Sequence, residues 1–211
     1  MIDHRKNTGF SMMEVLITIV ILTFGLLGLA GLQAKALTTQ MESYQRSQAL
    51  ILIKDMENRI NANHNAATCY NITNAGTGAP YFGSGSTLST PAVATCAAAI
   101  QGVYPSLSAN IATAAATTAA ADMQAWHNAL LGAAETRSGS NIGAMIGARG
   151  CITQTVALAP NVPAQYVVAV AWQGLSATVT PGIKCGTGQY GAADAVRRVV
   201  AIPINVADVV N

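Results

Sequence analysis

The sequence predicts an α+β chain. One long N-terminal helix, membrane-spanning in its first half and amphipathic in its second, packs on a C-terminal antiparallel sheet, with an extra alanine-rich helix between. Three observations carry this. From Phe10 to Leu32 the chain is apolar except for Ser11, Thr18, Thr23 and Glu14. From Gln33 to about residue 63, apolar and charged residues recur at helical spacing, without glycine. After residue 150 the chain turns to runs rich in Val and Ile joined by polar connections, which favours an antiparallel sheet.

Residues 1–9, MIDHRKNTG, form a short polar leader. A secretory signal peptide is cut after its apolar core, at small residues. Here the small residue, Gly9, comes before the core. Processing at Gly9 would therefore leave the apolar segment in the mature chain; an uncleaved signal anchor is the alternative. Arg5 and Lys6 hold the leader in the cytoplasm by the positive-inside rule, so that the rest is exported. As a helix, residues 10–32 are about 34 Å long, enough to span the hydrocarbon core of a bilayer.

Glu14 is the outlier in that span. An unpartnered carboxylate near the middle of a bilayer costs about 2.5–3.5 kcal/mol even on lenient scales. Cleavage after Gly9 would place a new ammonium on Phe10, four residues before Glu14 and one helical turn away. Pairing of that ammonium with Glu14 of a neighbouring subunit would remove both charges from lipid and set an axial register between packed helices.

The string GFSMMEVL resembles the processing and assembly motif of type IV pilins and pseudopilins. The resemblance implies that a prepilin peptidase cuts between Gly9 and Phe10, that Phe10 is then N-methylated, and that Glu14 guides assembly. The segment ILTFGLLGLAGLQ is similar to the PilV-like minor pilins, or pilus modification proteins, and the likeness runs on loosely past residue 65. It implies a pilin-like fold divided into a cleaved leader (1–9), a transmembrane assembly helix (10–32) and a periplasmic domain (33–211). It implies a single-pass inner-membrane precursor that ends in a cell-surface pilus. Its partners would be other minor pilins, the major pilin, the prepilin peptidase and the inner-membrane assembly machinery, and its task would be to prime assembly near the tip. A minor pseudopilin of type II secretion, or a pilus-borne adhesin or DNA-uptake component, are the alternatives. Unlike many major pilins, the chain has no proline in the apolar helix. Gly25, Gly28 and Gly31 are its weak points instead, or sites of close helix packing.

Downstream, Leu37, Met41, Tyr44, Gln48, Leu52, Met56 and Ile60 make an amphipathic stripe, with Lys35, Glu42, Arg46, Lys54, Asp55, Glu57 and Arg59 on a solvated face. Asn61, Asn63 and Asn65 mark the end of a single helix running from Phe10 to about Asn63. Residues 68–108 read as a loop. Residues 109–135 read as a helix with Met123, Trp126, Leu130 and Leu131 on one face; an acid four residues before a tryptophan, here Asp122 and Trp126, recurs in the PilV-like proteins and implies that Trp126 packs on the sheet. Gly150–Leu158, Gln165–Gln173 and Val196–Val206 read as strands, with GAMIGARG as a turn and TPGIKCGTGQYG as a loop held by Cys185.

The four cysteines, Cys69, Cys96, Cys151 and Cys185, all follow the apolar helix, and none forms a CxxC pair. They read as two disulfides in an oxidising compartment. Of the three possible pairings, Cys69–Cys96 and Cys151–Cys185 close the smallest loops, each restraining the unfolded chain by roughly 3–4 kcal/mol; buried free thiols are the alternative.

Nothing in the sequence composes a catalytic site, a metal site or a cofactor site. His4, His64 and His127 are too scattered for a metal triad, and GxSxG, HExxH and P-loop patterns are absent. Asp122 and His127 read as a surface acid and a helix-side imidazole. Charged residues are 9% of the chain, against about 25% in ordinary soluble proteins. The surface is therefore left largely to Ser, Thr, Asn, Gln and Gly, as suits an exported, assembly-forming protein. The leader's Asp3, Arg5 and Lys6 account for +1 of the net +2, too little charge for binding nucleic acid by bulk electrostatics. Arg197 and Arg198, adjacent in a strand, point to opposite faces and make no patch. DNA contact stays open only because some pilus systems import DNA.

Overall fold

The computed structural model describes residues 9–86, 90–133, 136–141, 145–159 and 162–207. The chain divides into two units, Met1–Ser43 and Tyr44–Asn211.

The described part of the first unit is mainly the N-terminal stretch of helix α1 (Met12–Ala62). The helix starts two residues later than the sequence implied, because Ser11 caps it. The Ser11 Oγ accepts the Met13 N–H at 3.3 Å and its carbonyl accepts the Glu14 N–H at 3.0 Å. An 18-residue window of this helix has a mean hydropathy of 2.6, and none of it is buried. Thr18 and Thr23 turn their hydroxyls back onto the Val15 and Val20 carbonyls, each at 2.8 Å. That satisfies the span's two threonine hydroxyls within the helix itself. The helix runs unbroken through Gly25, Gly28 and Gly31.

In the second unit the remaining turns of α1 bury Gln45, Ala49, Ile53, Met56 and Ile60. This corrects the expected stripe. Met56 and Ile60 belong to the buried edge, but Leu37, Met41 and Tyr44 are 61%, 56% and 66% exposed. The expected series followed helical spacing, but through Tyr44, Gln48 and Leu52 it runs one residue ahead of the buried Gln45, Ala49 and Ile53. The observed face follows contact, and a small residue such as Ala49 is as fully buried as Ile53.

A short 3₁₀ segment, His64–Tyr70, follows. The stretch expected to be loop then holds a two-residue strand, β1 (Phe82–Gly83), and a helix, α2 (Val93–Val103). The sequence gives this helix little signal, because Ala92, at its start, offers no side-chain cap and four of its eleven residues are alanine. It is held by Cys96, Ala97 and Ile100, all buried. Helix α3 (Ala109–Leu130) is capped by Ser108, whose Oγ accepts the Ile111 N–H. It ends before the expected residue 135. Its buried ridge is Ala112, Ala116, Ala119, Met123, Trp126 and Leu130, at alternating spacings of four and three.

A small hairpin, β2 (Thr136–Arg137) with β3 (Ser140–Asn141), precedes the main strands. These are β4 (Arg149–Val156), β5 (Ala164–Gln173) and β6 (Arg197–Val206), within two residues of the expected bounds. The four-stranded sheet has the order β1-β4-β5-β6 and is antiparallel throughout, with Cys151 opposite Ala169 and Ala169 opposite Ala201. The two faces follow the period of two. Ile152, Val168 and Val170 join Ile53, Met56, Ile60 and Trp126 in the main core. Cys151, Ala169 and Ala171 join Cys185 and Tyr190 in a smaller cluster.

Trp126 is the joint between layers, as the resemblance implied. It is fully buried, its Nε1–H donates to the Leu52 carbonyl of α1 at 2.8 Å, and Phe82 meets it edge-on at 5.6 Å. Gly150 of β4 lies against the indole; a Cβ there would fall 2.3 Å from Trp126.

Candidate functional site

The residues singled out from the sequence lie at the start of α1. Gly9 and Phe10 precede the helix, and Phe10 is 84% exposed. The Gly9–Phe10 peptide bond is thus in non-helical backbone outside α1. Glu14 is in the first turn of α1, where a carboxylate also meets the positive end of the helix dipole. Phe10 lies outside the helix, so the one-turn relation expected between Phe10 and Glu14 requires α1 to extend by two residues. Ser11, whose signal was a hydroxyl immediately before an apolar run, is the residue that sets this boundary and was not singled out.

From Glu14 to Lys35 no charged residue intervenes. Large side chains along that stretch, including Phe24 at 74% and Leu27 at 76%, are exposed. An isolated, all-round apolar surface of this length is either a lipid-facing helix or a helix that packs among its like.

The domain holds the second half of α1 through polar contacts as well as packing. Arg59 Nη1 meets Asp122 at 3.0 Å, and its Nε meets Asp55 at 2.9 Å. The hydroxyl of Tyr70 donates to Asp122 at 2.6 Å, and Asn63 Nδ2 donates to the Ala115 carbonyl at 2.9 Å. Asp122, expected to be a surface acid, is a 15% exposed ion-pair partner. Burial and the Asp122 carboxylate both push the Tyr70 phenol well above its ordinary range. His127 instead accepts the Gly83 N–H on Nδ1 at 3.1 Å. Asp122 and His127 therefore serve different partners and form no acid–imidazole pair.

The cysteines are joined as Cys69–Cys96 and Cys151–Cys185. The first ties α2 to the segment that follows α1. The second ties the loop between β5 and β6 onto the sheet. Arg197 seals that loop. Its guanidinium is 1% exposed, donates to the Pro181, Ile183 and Cys185 carbonyls, and faces Asp194 at 3.4 Å as an ion pair. Arg198 goes to the other face and binds Thr178 Oγ1 and the Ser176 carbonyl. The alternation expected of the doublet holds, and it makes no basic patch.

Among the described residues, no group of three or more His, Cys, Asp or Glu side chains is placed to hold a metal. A cleft of about 190 Å³ lies on the outer sheet face, between Thr73–Gly78 and the Gly182–Cys185 loop. It presents Thr153, Thr155 and Val167 but no cluster of titratable groups.

Comparison with known proteins adds two matches. Residues 4–30 match the family model of the prokaryotic N-terminal methylation motif. Residues 31–123 match a family described as Tt1218-like, type IV pilin Tt1218. No curated protein and no solved structure matches the chain. The two family matches adjoin at residue 30, so the motif leads directly into the matched region that carries the rest of α1, α2 and most of α3.

Proposed function

We propose that this chain, which belongs to the type IV pilins, works as a minor subunit of a type IV pilus. Type IV pilins are structural proteins with an N-terminal helix suited to membrane anchoring and fibre assembly, and such proteins depend on a prepilin peptidase and on other pilins. In our reading residues 1–9 are removed between Gly9 and Phe10, and Phe10 is methylated. Residues 10–32 hold the chain in the inner membrane with residues 33–211 in the periplasm. The chain then joins other minor pilins and the major pilin, priming assembly near the tip, and has no enzymatic role.

The observation that supports this best is the unburied apolar run of α1, whose one charged residue is Glu14 near its capped end. In lipid the carboxylate is costly. In a bundle of like helices it gains the new N-terminal ammonium of a neighbour, and the apolar surface is buried among subunits. Extension of α1 through Ser11 and Phe10 after processing would bring the new terminus one turn from the carboxylate. The mechanism is noncovalent: helix packing supplies affinity and the charge pair supplies register.

Replacing Glu14 with Ala tests it. Processing should continue, because the cleaved bond lies outside α1, while the amount of chain in sheared pili should fall to background. Incorporation at the wild-type level refutes the pairing. Deletion of the gene separates the pilus reading from its nearest rival. Loss of surface pili and twitching supports a minor pilin; normal pili with failed exoprotein export supports a minor pseudopilin of type II secretion.

A further inference from the structure

We infer that the outer edge of β6 docks an extended strand of another pilin subunit, on the premise that the chain assembles with other pilins. β6 is the last strand of the sheet and ten residues long. In an antiparallel ladder alternate residues turn both backbone groups to the partner strand, and those between turn both away. The Gly174 N–H donates to the Val196 carbonyl at 2.7 Å, which sets the even-numbered residues of β6 toward β5. Pro203 agrees with that register. It has no N–H, and it stands opposite Val167 where none is needed. Val199, Ala201 and Asn205 therefore point their N–H groups outward. Among the described residues no backbone hydrogen bond meets those groups from outside the sheet.

The opposite edge of the sheet is closed. On β1 the Ser84 N–H donates to the Ala148 carbonyl at 2.8 Å, so Gly83 faces outward, and His127 Nδ1 accepts its N–H at 3.1 Å. β6 has no such cap. Nor does it carry the charges or the bulge that usually blunt an exposed edge. From Val199 to Val206 it reads VVAIPINV, and its pairing with β5 is unbroken. Val200 and Ile202 pack on the main core, and Val199 and Ala201 on the smaller cluster. The edge is thus held in place before anything binds. N–H and carbonyl groups repeating every second residue, roughly 6.6 Å apart, are matched by an extended polypeptide backbone. A second copy is excluded as the donor. Antiparallel pairing of β6 with its own copy needs a two-fold axis normal to the sheet. Helix α1 buries one edge from Gln45 to Ile60 along the core, so that axis would reverse it. Two such chains could neither enter one membrane in the same sense nor lie parallel in one fibre.

Hydrogen exchange of the unmutated full chain in detergent tests the edge. The Val199, Ala201 and Asn205 amides should exchange at least about tenfold faster than those of Val200 and Ile202. Equal protection overturns the proposal, because the chain would then cover its own edge. The contact is read in cells by photo-crosslinking from Asn205→p-benzoylphenylalanine, at an exposed position, in membranes and in sheared pili. The expected adduct joins residue 205 to a peptide of another pilin. Within that complex the Val199 and Ala201 amides should slow by about tenfold relative to the free chain, as for one added hydrogen bond. Ala201→Pro removes an outward donor in the register Pro203 already occupies, and should reduce the adduct about tenfold; Ala201→Ser, which keeps the N–H, should not. No adduct, an adduct with a second copy, unslowed amides in the complex, or an adduct as strong in Ala201→Pro as in wild type overturns the proposal. Glu14→Ala separates this contact from fibre assembly: an adduct that persists in those membranes while the chain is missing from pili supports the edge, and its loss there overturns a contact independent of α1.

Discussion

Adding a single methyl group at residue 150 should destabilise the domain by about 2 kcal/mol, within the usual range of core overpacking. The Cβ of Gly150→Ala falls 2.3 Å from Trp126 Cη2, 2.5 Å from its Cζ3 and 2.6 Å from Leu130 Cδ1. Carbon atoms prefer about 3.5–4.0 Å, so the indole must retreat by more than an ångström. It has little room to do so. Its N–H is bound to the Leu52 carbonyl, Phe82 closes its edge, and it is fully buried. Should the indole tilt enough to lose that hydrogen bond, about 1 kcal/mol more is lost. For a domain of this size each kcal/mol lowers Tm by roughly 2–4 °C, so the full chain in detergent should melt about 4–12 °C lower. Near-ultraviolet circular dichroism would follow the tryptophan environment during melting. Gly150 does not have a positive φ, so backbone strain cannot account for the effect. An unchanged or higher Tm would refute the claim that Trp126 is wedged between β4 and α1.

Three other outcomes follow from the same packing. Gly102→Ala, in α2 with nothing within 4 Å of its added Cβ, should stabilise by about 0.5–1 kcal/mol, read as a higher urea midpoint. Asp122→Asn removes the carboxylate shared by Arg59 and Tyr70 and should cost about 1.5–3 kcal/mol. In a double-mutant cycle with Tyr70→Phe the two losses should be markedly non-additive; simple additivity would mean that Asp122 does not join them. The third outcome concerns alkaline pH. Burial pushes the Tyr190 phenol up to about 12, and burial likewise raises Tyr70 and Tyr166. Folding favours the neutral phenols, so their contribution is complete below about pH 10, where the unfolded phenol titrates. It is lost as pH rises through the folded value. Phenolate absorbance should therefore lag behind that of a free tyrosine and rise together with loss of ellipticity. Titration of these groups near pH 10 in a folded chain would contradict the burial.

The fold class, the three main strands and the long helix were legible because each rests on a periodic signal: an apolar run, a helical repeat, Val and Ile runs between turns. The disulfide partners observed are also those that close the smallest loops. What was not legible has physical causes. Helix α2 lies within a Gly- and Ser-rich stretch, has no capping side chain, and takes its position from a disulfide and two buried apolar residues. The buried edge of α1 is offset by one residue from the expected stripe over 44–53, where several helical spacings fit the sequence and only packing chooses Gln45, Ala49 and Ile53. The Arg59–Asp122–Tyr70 group joins residues 63 and 52 positions apart in sequence (Arg59 to Asp122, and Tyr70 to Asp122), and no local pattern announces such meetings. At the N-terminus the motif residues could be read directly, but the cap at Ser11, and the consequence that Phe10 stands outside the helix, needed coordinates.

The central claim is that residues 1–9 are shed so that α1 can pack into a fibre. Intact mass of the chain recovered from sheared pili tests it most directly. The account predicts a chain that begins at Phe10 and carries one added methyl group. A chain in the fibre that still carries Arg5 and Lys6, or a processed chain that never leaves the membrane fraction, would contradict it.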